Sequence, residues 1–372
     1  TLLTKIPHEL IISSELYETI PNIQKFSSED QKKQKENRTF RFVIALLYET
    51  TKKEESFYYP YIKTLPSLDA FVTHPIYLYY TNKNLFEDVA SHSLVFIKMI
   101  STKASELGKL IEMVVSFEKK EMIFSKDLEK EELTRLVVWA FFIEVTRAWK
   151  SKLVPFNDSF NHKNSSNIHL KMQKEKNYLF EADEQFANKH DEAFEVFINY
   201  GHHDLATLQA NYNFLPDESL NYLLVPLQFH SDDSFEKLKI QEIKKCKIDT
   251  KKILLSSDGA SDELMQIARI LSLDEKEYKV YSKEMQTNKY QTPINKNNES
   301  RAIEMILEII KEMKDSLYTK ESLDALAKIK NSLTQKATLV PSEKIILNLC
   351  AIKTKESSIL KDCLRIVNQS SL

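Results

Sequence analysis

The 372-residue sequence predicts an α+β protein built from two parts. Between Leu153 and Tyr200, apolar residues recur at every second position, the spacing of strands with one buried face. Beyond about residue 214 they recur at intervals of three and four, the spacing of amphipathic helices. A single hydrophobic core rarely serves more than ~250–300 residues, so a chain of this length is expected to form more than one domain.

The N-terminal part begins with a predicted strand from Leu2 to Ile6, followed by a helix that is predicted to start near Thr39. Residues 82–149 are rich in helix formers and almost free of glycine and proline, so we expect several helices there. The last of them is apolar nearly all round and is expected to be buried. Three alternating runs then predict antiparallel strands, at residues 168–172, 178–182 and 194–198.

The C-terminal part is predicted to consist of successive helices. Ser261 is placed as the N-cap of a predicted helix whose apolar face runs from Leu264 to Leu271. Similar spacing predicts helices over residues 303–317, 323–333 and 345–367. The predicted organisation is therefore a mixed domain over residues 1–215, with a helical insertion at about residues 53–132, and an all-α domain over residues 216–372.

Composition narrows the classes of function. The formal net charge of −2 gives no reason to expect nucleic acid or a membrane as a partner. Three scattered cysteines argue against a disulfide framework or a zinc site and favour a reducing compartment, so we expect the cytoplasm, with the nucleus as an open alternative. Only three glycines are present, too few for the clustered loops that bind dinucleotides or nucleoside triphosphates. No heptad pattern is left over, which favours a monomer.

Two segments carry most of the functional information. LVPFNDSFNH ends at His162, and INYGHHDLATLQANYNF starts at Ile198. They resemble the Asn-His and Tyr-Gly segments of a SET domain, a fold in which the two are threaded past each other in a knot-like arrangement beside the cofactor. The resemblance continues in order along nearly the whole chain, through TLLTKIPHELIIS, ALLYE, SFYYPYIKTLP, VTRAW and DELMQIARILSLDEKE. It is closest to the SET-domain protein methyltransferases of the Rubisco large-subunit methyltransferase-like group, which have a helical insertion and an all-α substrate-binding domain.

This resemblance implies S-adenosyl-L-methionine as cofactor, S-adenosyl-L-homocysteine as product, and a role for each matching residue. Tyr200 is the implied catalytic residue, with its hydroxyl near the transferring methyl group. Asn161 is implied to bind the cofactor through its side chain and His162 through its backbone. Arg147 is implied to face the cofactor carboxylate, a task suited to a guanidinium group. The aromatic residues implied to line the cofactor and target channel are Tyr212 and Phe214.

The implied activity is N-methylation of a lysine on a non-histone protein such as a ribosomal protein, elongation factor or cytochrome c. That protein is expected to dock on the SET cleft and the C-terminal helices. A lysine attacks only when neutral, and its ordinary pKa near 10.4 makes deprotonation at pH 7 cost about 4.6 kcal/mol. Desolvation beside a cationic sulfonium lowers that pKa, and positioning for in-line displacement supplies much of the acceleration. Neither a metal nor a strong base is therefore expected, and the consecutive residues His202 to Asp204 are a poor metal site.

The sequence departs from the family pattern in several places. A glycine-containing turn that contacts the cofactor is expected just before Thr1. Asp204 and Leu205 replace the usual Ser-Asn, Asn213 replaces a glycine, and Lys163 follows the Asn-His pair. Three alternatives stay open: methylation of a histidine, a SET-fold binding module that has lost catalysis, and a helical scaffold unrelated to methyltransferases.

Overall fold

The computed structural model describes residues 2–21, 37–84, 94–124, 128–166, 168–172, 177–182, 195–201, 203–217, 220–225, 227, 234–250, 253–283 and 290–370. The chain divides into two compact units. Unit 1 comprises Thr1–Val89, Phe96–His202 and Thr207–Glu218. Unit 2 comprises Ala90–Val95, His203–Ala206 and Ser219–Leu372.

The strands of unit 1 form small sheets. Within the described ranges they are β1 (Leu2–Ile6), β2 (Ile12–Ser13), β3 (Lys152–Leu153), β4 (Asn161–His162), β5 (Ile168–Met172), β6 (Tyr178–Ala182) and β7 (Phe197–Ile198). One sheet has the antiparallel order β1-β6-β5, β2 pairs antiparallel with β3, and β4 runs parallel to β7. The strands predicted at residues 2–6, 168–172 and 178–182 are confirmed.

The third alternating run, residues 194–198, is only partly confirmed. Its described strand is limited to Phe197–Ile198, and it pairs in parallel with β4 instead of joining an antiparallel set. Phe194 lies outside the described residues. Alternation reports that one face of a segment is buried, but it carries no information about the partner strand or its direction. The prediction of three antiparallel strands is therefore wrong for this run.

Among the described residues up to 217, the α-helices are α1 (Arg38–Thr51), α2 (Tyr59–Ile62), α3 (Pro75–Thr81), α4 (Leu94–Glu121), α5 (Lys130–Arg147) and α6 (Leu205–Tyr212). α1 starts near Thr39 as predicted, because the side chain of Asn37 caps it by accepting a hydrogen bond from the Phe40 N–H. α5 packs against α1, and residues 137–143 are all buried, which confirms the predicted buried helix. α5 ends at Arg147, directly before the strand region.

Unit 2 is mainly helical. In the part of this unit that the structure describes, the helices are α7 (Ser234–Lys245), α8 (Asp262–Leu271), α9 (Glu275–Tyr281), α10 (Lys296–Leu317), α11 (Lys320–Thr334) and α12 (Pro341–Ser370). Ser261 caps α8 as predicted, since its hydroxyl accepts a hydrogen bond from the Leu264 N–H at 3.3 Å. Apolar side chains of α8, α10 and α12 meet in one core, which includes Ile267, Ile306 and Leu360.

The expectation of an all-α C-terminal domain is incomplete. Unit 2 also holds a three-stranded antiparallel sheet with the order β10-β9-β8, formed by β8 (Tyr222–Leu224), β9 (Leu254–Ser256) and β10 (Gly259–Ala260). Strands of two or three residues are too short for an alternating pattern to appear in the sequence. Of the helices in the described part of the chain, none combines the length and the apolar character needed to cross a membrane.

Candidate active site

Two segments that are distant in sequence meet in the parallel pair of β4 and β7. Asn161 lies opposite Phe197, and His162 lies opposite Ile198. The Lys163 N–H donates to the Ile198 carbonyl at 3.0 Å and extends the pair. The Asn-His and Tyr-Gly segments therefore lie side by side, although whether they form a knot remains a prediction.

Tyr200 is fixed at both its backbone and its side chain. Its N–H donates to Nδ1 of His162 at 3.1 Å, and its hydroxyl donates to the Phe160 carbonyl at 2.6 Å. The next residue, Gly201, has a φ of +122°, a conformation that favours glycine, and its N–H donates to the side-chain oxygen of Asn199 at 2.7 Å. The Tyr-Gly pair thus has a structural reason: the glycine permits the turn that presents the tyrosine.

Four aromatic rings from the two motifs form a cluster. The ring centroids of Tyr200 and Tyr212 are 4.8 Å apart, and those of His162 and Tyr200 are 5.1 Å apart. Phe214 lies 6.1 Å from His162 and 6.2 Å from Tyr212. Burial raises the pKa of Tyr212 to about 12 and also raises the pKa of Tyr200, so both phenols are neutral at pH 7. Aromatic faces attract a cation within about 6 Å, so this cluster suits a positively charged group.

Arg147 and Asp158 bring opposite charges to the cluster. Nη1 of Arg147 donates to the Asp158 carbonyl at 2.5 Å and lies 3.6 Å from its Oδ2. The Asp158 side chain is only 2% exposed. Burial raises the pKa of this carboxyl, while the nearby Tyr61 hydroxyl and Arg147 lower it. Because both contacts use Nη1 alone, the guanidinium retains further donors for a carboxylate ligand.

Asn161 is oriented by a residue that the sequence analysis did not identify. The side-chain nitrogen of Asn161 donates to Oε1 of Glu195 at 2.5 Å. With its donor group directed to Glu195, the amide of Asn161 has its oxygen available to accept from an ammonium group. The carboxylate of Glu195 adds a negative charge beside that position.

These residues surround two neighbouring cavities. The larger cavity, about 510 Å³, is lined by all six residues singled out from the sequence: Arg147, Asn161, His162, Tyr200, Tyr212 and Phe214. The smaller cavity, about 310 Å³, is lined on its remaining sides by Trp149, Asn157 and Ile198 among others. The residues that line both cavities are Thr146, Arg147, Asp158, Tyr200 and Tyr212. Both volumes fall in the range of small-molecule sites, roughly 300–1,000 Å³.

Several lining residues were missed by the sequence analysis. Asp158 stands inside the quoted motif LVPFNDSFNH, so its proximity to Asn161 in sequence was a usable signal. His74 also lines the larger cavity, but nothing in its sequence surroundings indicates this. Its Nε2 lies 3.1 Å from the Asn211 carbonyl, and burial lowers its pKa to about 4. Within the described residues no group of three His, Cys, Asp or Glu side chains is arranged to hold a metal ion, and His202 lies outside those residues.

The donor set of the larger cavity fits S-adenosyl-L-methionine. A sulfonium is satisfied by aromatic faces, a carboxylate by the guanidinium of Arg147, and an α-ammonium by the amide oxygen of Asn161. In the smaller cavity Oδ1 of Asn157 is buried and has no hydrogen-bond partner among the described residues, so it can accept from a ligand donor there.

Comparisons with known proteins show what the fold of this chain is similar to. Residues 230–357 match the family model described as Rubisco LSMT substrate-binding. The chain has the fold of Rubisco LSMT, which consists of a SET domain followed by a helical substrate-binding domain, as the sequence resemblance implied.

Three solved structures carry this comparison, each 16% identical to the chain in sequence. The SET domain of LSMT bound to lysine and AdoHcy has a TM-score of 0.60, with 100% of this chain and 82% of that chain covered. Rubisco LSMT bound to AdoMet has a TM-score of 0.59 with the same coverage. Rubisco LSMT bound to sinefungin and monomethyllysine has a TM-score of 0.58, with 99% and 82% covered. Among curated proteins, no significant match was found.

Proposed function

We propose that this protein is an S-adenosyl-L-methionine-dependent protein-lysine N-methyltransferase. The observation that carries the proposal is the convergence of Asn161 and Tyr200, remote in sequence, on one cavity that shares a wall with a second cavity. A methyl transfer between two ligands needs two adjoining sites with the reacting atoms between them. Of the three solved structures with this fold, one holds AdoMet, one holds AdoHcy with lysine, and one holds sinefungin with monomethyllysine.

The larger cavity is the proposed cofactor site. When bound, the cofactor supplies a methyl group on a cationic sulfur. Arg147 pairs with its carboxylate, the amide oxygen of Asn161 accepts from its ammonium group, and Phe214 packs against its apolar surface. His162 orients Tyr200 through the hydrogen bond to the Tyr200 N–H.

The smaller cavity is the proposed entry for the target lysine. Asp158 and Asn157 offer oxygen atoms to the ammonium group, while Ile198 and the ring of Tyr212 exclude water from its aliphatic stem. The lysine loses its proton to solvent before attack. Its lone pair would then form the new N–C bond to the methyl carbon as the bond between that carbon and the cofactor sulfur breaks, and S-adenosyl-L-homocysteine would be the leaving group. Tyr200 lies on the wall shared by the two cavities and orients the amine for in-line displacement.

The finer features of the proposal concern the substrate and its setting. The target is a non-histone protein, such as a ribosomal protein, an elongation factor or cytochrome c, and it docks on the SET cleft and the C-terminal helices. The protein acts as a monomer in the cytoplasm, with the nucleus as an open alternative, and neither nucleic acid nor a membrane is a partner. The matched segment at residues 230–357 supports binding of a protein substrate.

The test compares the native protein with Tyr200→Phe. Each is incubated with methyl-labelled S-adenosyl-L-methionine and a cell lysate, and mass spectrometry locates the methyl group in the labelled protein. We expect methyl-lysine, with labelling reduced at least about hundredfold in the variant, the scale typical for loss of a group that acts in the transition state. Tyr17→Phe is the matched control, because Tyr17 is a buried tyrosine of the same unit that lines neither cavity.

Calorimetry with S-adenosyl-L-methionine alone separates binding from catalysis. Tyr200→Phe should bind the cofactor nearly as well as the native protein. Methyl-histidine in the product would overturn the choice of lysine. Absence of cofactor binding by the native protein would show that the fold serves as a binding module without catalysis.

A further inference from the structure

Two loops beside the smaller cavity hold non-glycine residues in left-handed backbone conformations. Among the described residues seven non-glycine residues have a positive φ, and three of them are Lys150, Ser151 and Phe156. Such conformations cost about 1–3 kcal/mol each and persist where the surrounding structure enforces them, often at functional sites. Three such residues within one short stretch of chain therefore indicate that these loops hold particular side chains in place for a function.

The first loop presents Trp149. The N–H of Trp149 donates to the Lys152 carbonyl at 2.9 Å, and the Lys152 N–H donates back to the Trp149 carbonyl at 3.2 Å. The two central residues, Lys150 and Ser151, have φ values of 53° and 57°, in a turn for which Asn-Gly is the usual choice. The Trp149 ring packs edge-on against Tyr178, lines the smaller cavity and is still 38% exposed. Trp149 thus stands at the edge of that cavity.

The second loop presents Phe156. Its backbone has φ 70° and ψ −44°, close to the rare and strained γ-turn conformation. The side chain is 65% exposed, while the next two residues, Asn157 and Asp158, are buried and line the smaller cavity. With 65% of its surface exposed, Phe156 gains little from burial to offset the cost of the strained turn. Its position, one residue from the cavity wall, indicates a contact made outside the chain itself.

We propose that Trp149 and Phe156 form an aromatic rim on the smaller cavity, and that this rim binds an apolar side chain next to the target lysine of the protein substrate. This inference rests on the proposed function, because it takes the smaller cavity as the lysine entry. Partly exposed aromatic residues at the edge of a cavity are the typical anchors of protein recognition. Their surfaces are apolar, and the ammonium of Lys150 lies 4.7 Å from the Trp149 ring centre, which disfavours a basic neighbour for the target lysine.

The experiment uses the full chain and two defined peptides, acetyl-Gly-Leu-Lys-Leu-Gly-amide and acetyl-Gly-Ser-Lys-Ser-Gly-amide. We expect the native protein to methylate the leucine peptide with a kcat/KM about tenfold higher than the serine peptide. Trp149→Ala and Phe156→Gly should each remove this preference by raising KM for the leucine peptide, with kcat within twofold of native. Phe156→Gly should also keep or raise the melting temperature, because glycine accepts the strained backbone; a purely structural role would lower it.

Met122→Gly is the matched control. Met122 also has a positive φ, 47°, and is also 65% exposed, but it lines neither cavity. The control should keep the native preference for the leucine peptide. Equal kcat/KM for the two peptides in the native protein, or loss of the preference in Met122→Gly as well, would overturn the aromatic rim.

Fluorescence gives a readout that is independent of catalysis. The chain has two tryptophans, and the other, Trp139, is buried and donates its ring N–H to the Pro66 carbonyl at 2.8 Å. The leucine peptide should therefore shift the emission of the native protein to shorter wavelength, and Trp149→Phe should abolish the shift. An emission shift without any methylation would support the rim while refuting the proposed activity; absence of both preference and shift in a protein that binds S-adenosyl-L-methionine would refute the rim alone.

Discussion

The burial of His74 predicts a specific loss of stability in acid. The ring is 2% exposed; its Nε2 faces the Asn211 carbonyl, and its Nδ1 accepts a hydrogen bond from the Ile76 N–H as the N-cap of α3. Protonation of Nδ1 would remove that acceptor and place a charge in a buried site away from water. The folded protein therefore resists protonation, and the pKa of His74 falls from 6.5 to about 4, chiefly because of burial.

The sign and size of the effect follow from proton linkage. Below pH 6.5 the unfolded chain binds a proton at His74 that the folded chain does not, so acid favours unfolding. The stabilising contribution is complete above pH 6.5 and is lost as the pH falls towards 4. The fall in the pKa from 6.5 to about 4 corresponds to about 3–4 kcal/mol when the effect is complete.

The assay is urea unfolding of the native protein and of His74→Asn at several pH values between 4 and 8. Asparagine keeps an oxygen that can cap α3 but does not titrate, so a constant loss of packing cancels when pH dependences are compared. The free energy of unfolding of the native protein should fall relative to the variant by about 3 kcal/mol from pH 7 to pH 4. Parallel curves across this range would show that His74 is protonated without cost, and the reasoning from burial would be wrong.

Three further predictions concern charged side chains. Burial raises the pKa of Glu356 to about 7. The stabilising contribution of this group is therefore complete below pH 4.5 and is lost as the pH rises through 7. In the same unfolding assay, the free energy of unfolding of Glu356→Gln should rise by about 3 kcal/mol relative to that of the native protein between pH 4 and pH 8. The buried side chain of Arg269 donates to both carboxylate oxygens of Glu299, so Arg269→Ala should lower the free energy of unfolding by about 3–5 kcal/mol. Arg365 is exposed, and as the control Arg365→Ala should change that free energy by less than about 1 kcal/mol. Asp158→Asn should raise KM for a lysine peptide and shift the pH profile of kcat to lower pH by about one unit, because a nearby carboxylate stabilises the ammonium form of the lysine. An unchanged pH profile would contradict contact between Asp158 and the target lysine.

Local signals explain which elements could be predicted from the sequence. Residues 168–172 and 178–182 alternate in apolar character and form the β5–β6 pair. Ser261 precedes an apolar helical pattern and caps α8 by the expected hydrogen bond. Residues 137–143 are apolar on every side, and all seven of them are buried. In each case the information lies within a few residues of the element that it specifies.

Pairing between distant segments could not be predicted in this way. Nothing in the local pattern of Phe197–Ile198 specifies Asn161–His162 as a parallel partner, and that pairing is what brings the two motifs together. The expectation that they meet came from the family resemblance alone. Glu195 illustrates the same limit: its contact with Asn161 depends on where two strands place their side chains, which periodicity does not report.

Under the proposed function, the charges around the smaller cavity explain how one site would bind a lysine as ammonium and still release its proton. The buried Asp158 carboxylate favours the ammonium form, but the guanidinium of Arg147 at 3.6 Å offsets much of its charge. Tyr200 and Tyr212 stay neutral at pH 7, so they add no negative charge that would stabilise the ammonium further. A cationic cofactor then decides the balance: at an effective dielectric of ~20, two unit charges ~4 Å apart interact by about 4 kcal/mol, close to the deprotonation cost of about 4.6 kcal/mol. Under the proposed function, deprotonation of the target lysine would therefore be coupled to occupation of the larger cavity, and the nucleophile would stay inactive until the methyl donor is bound.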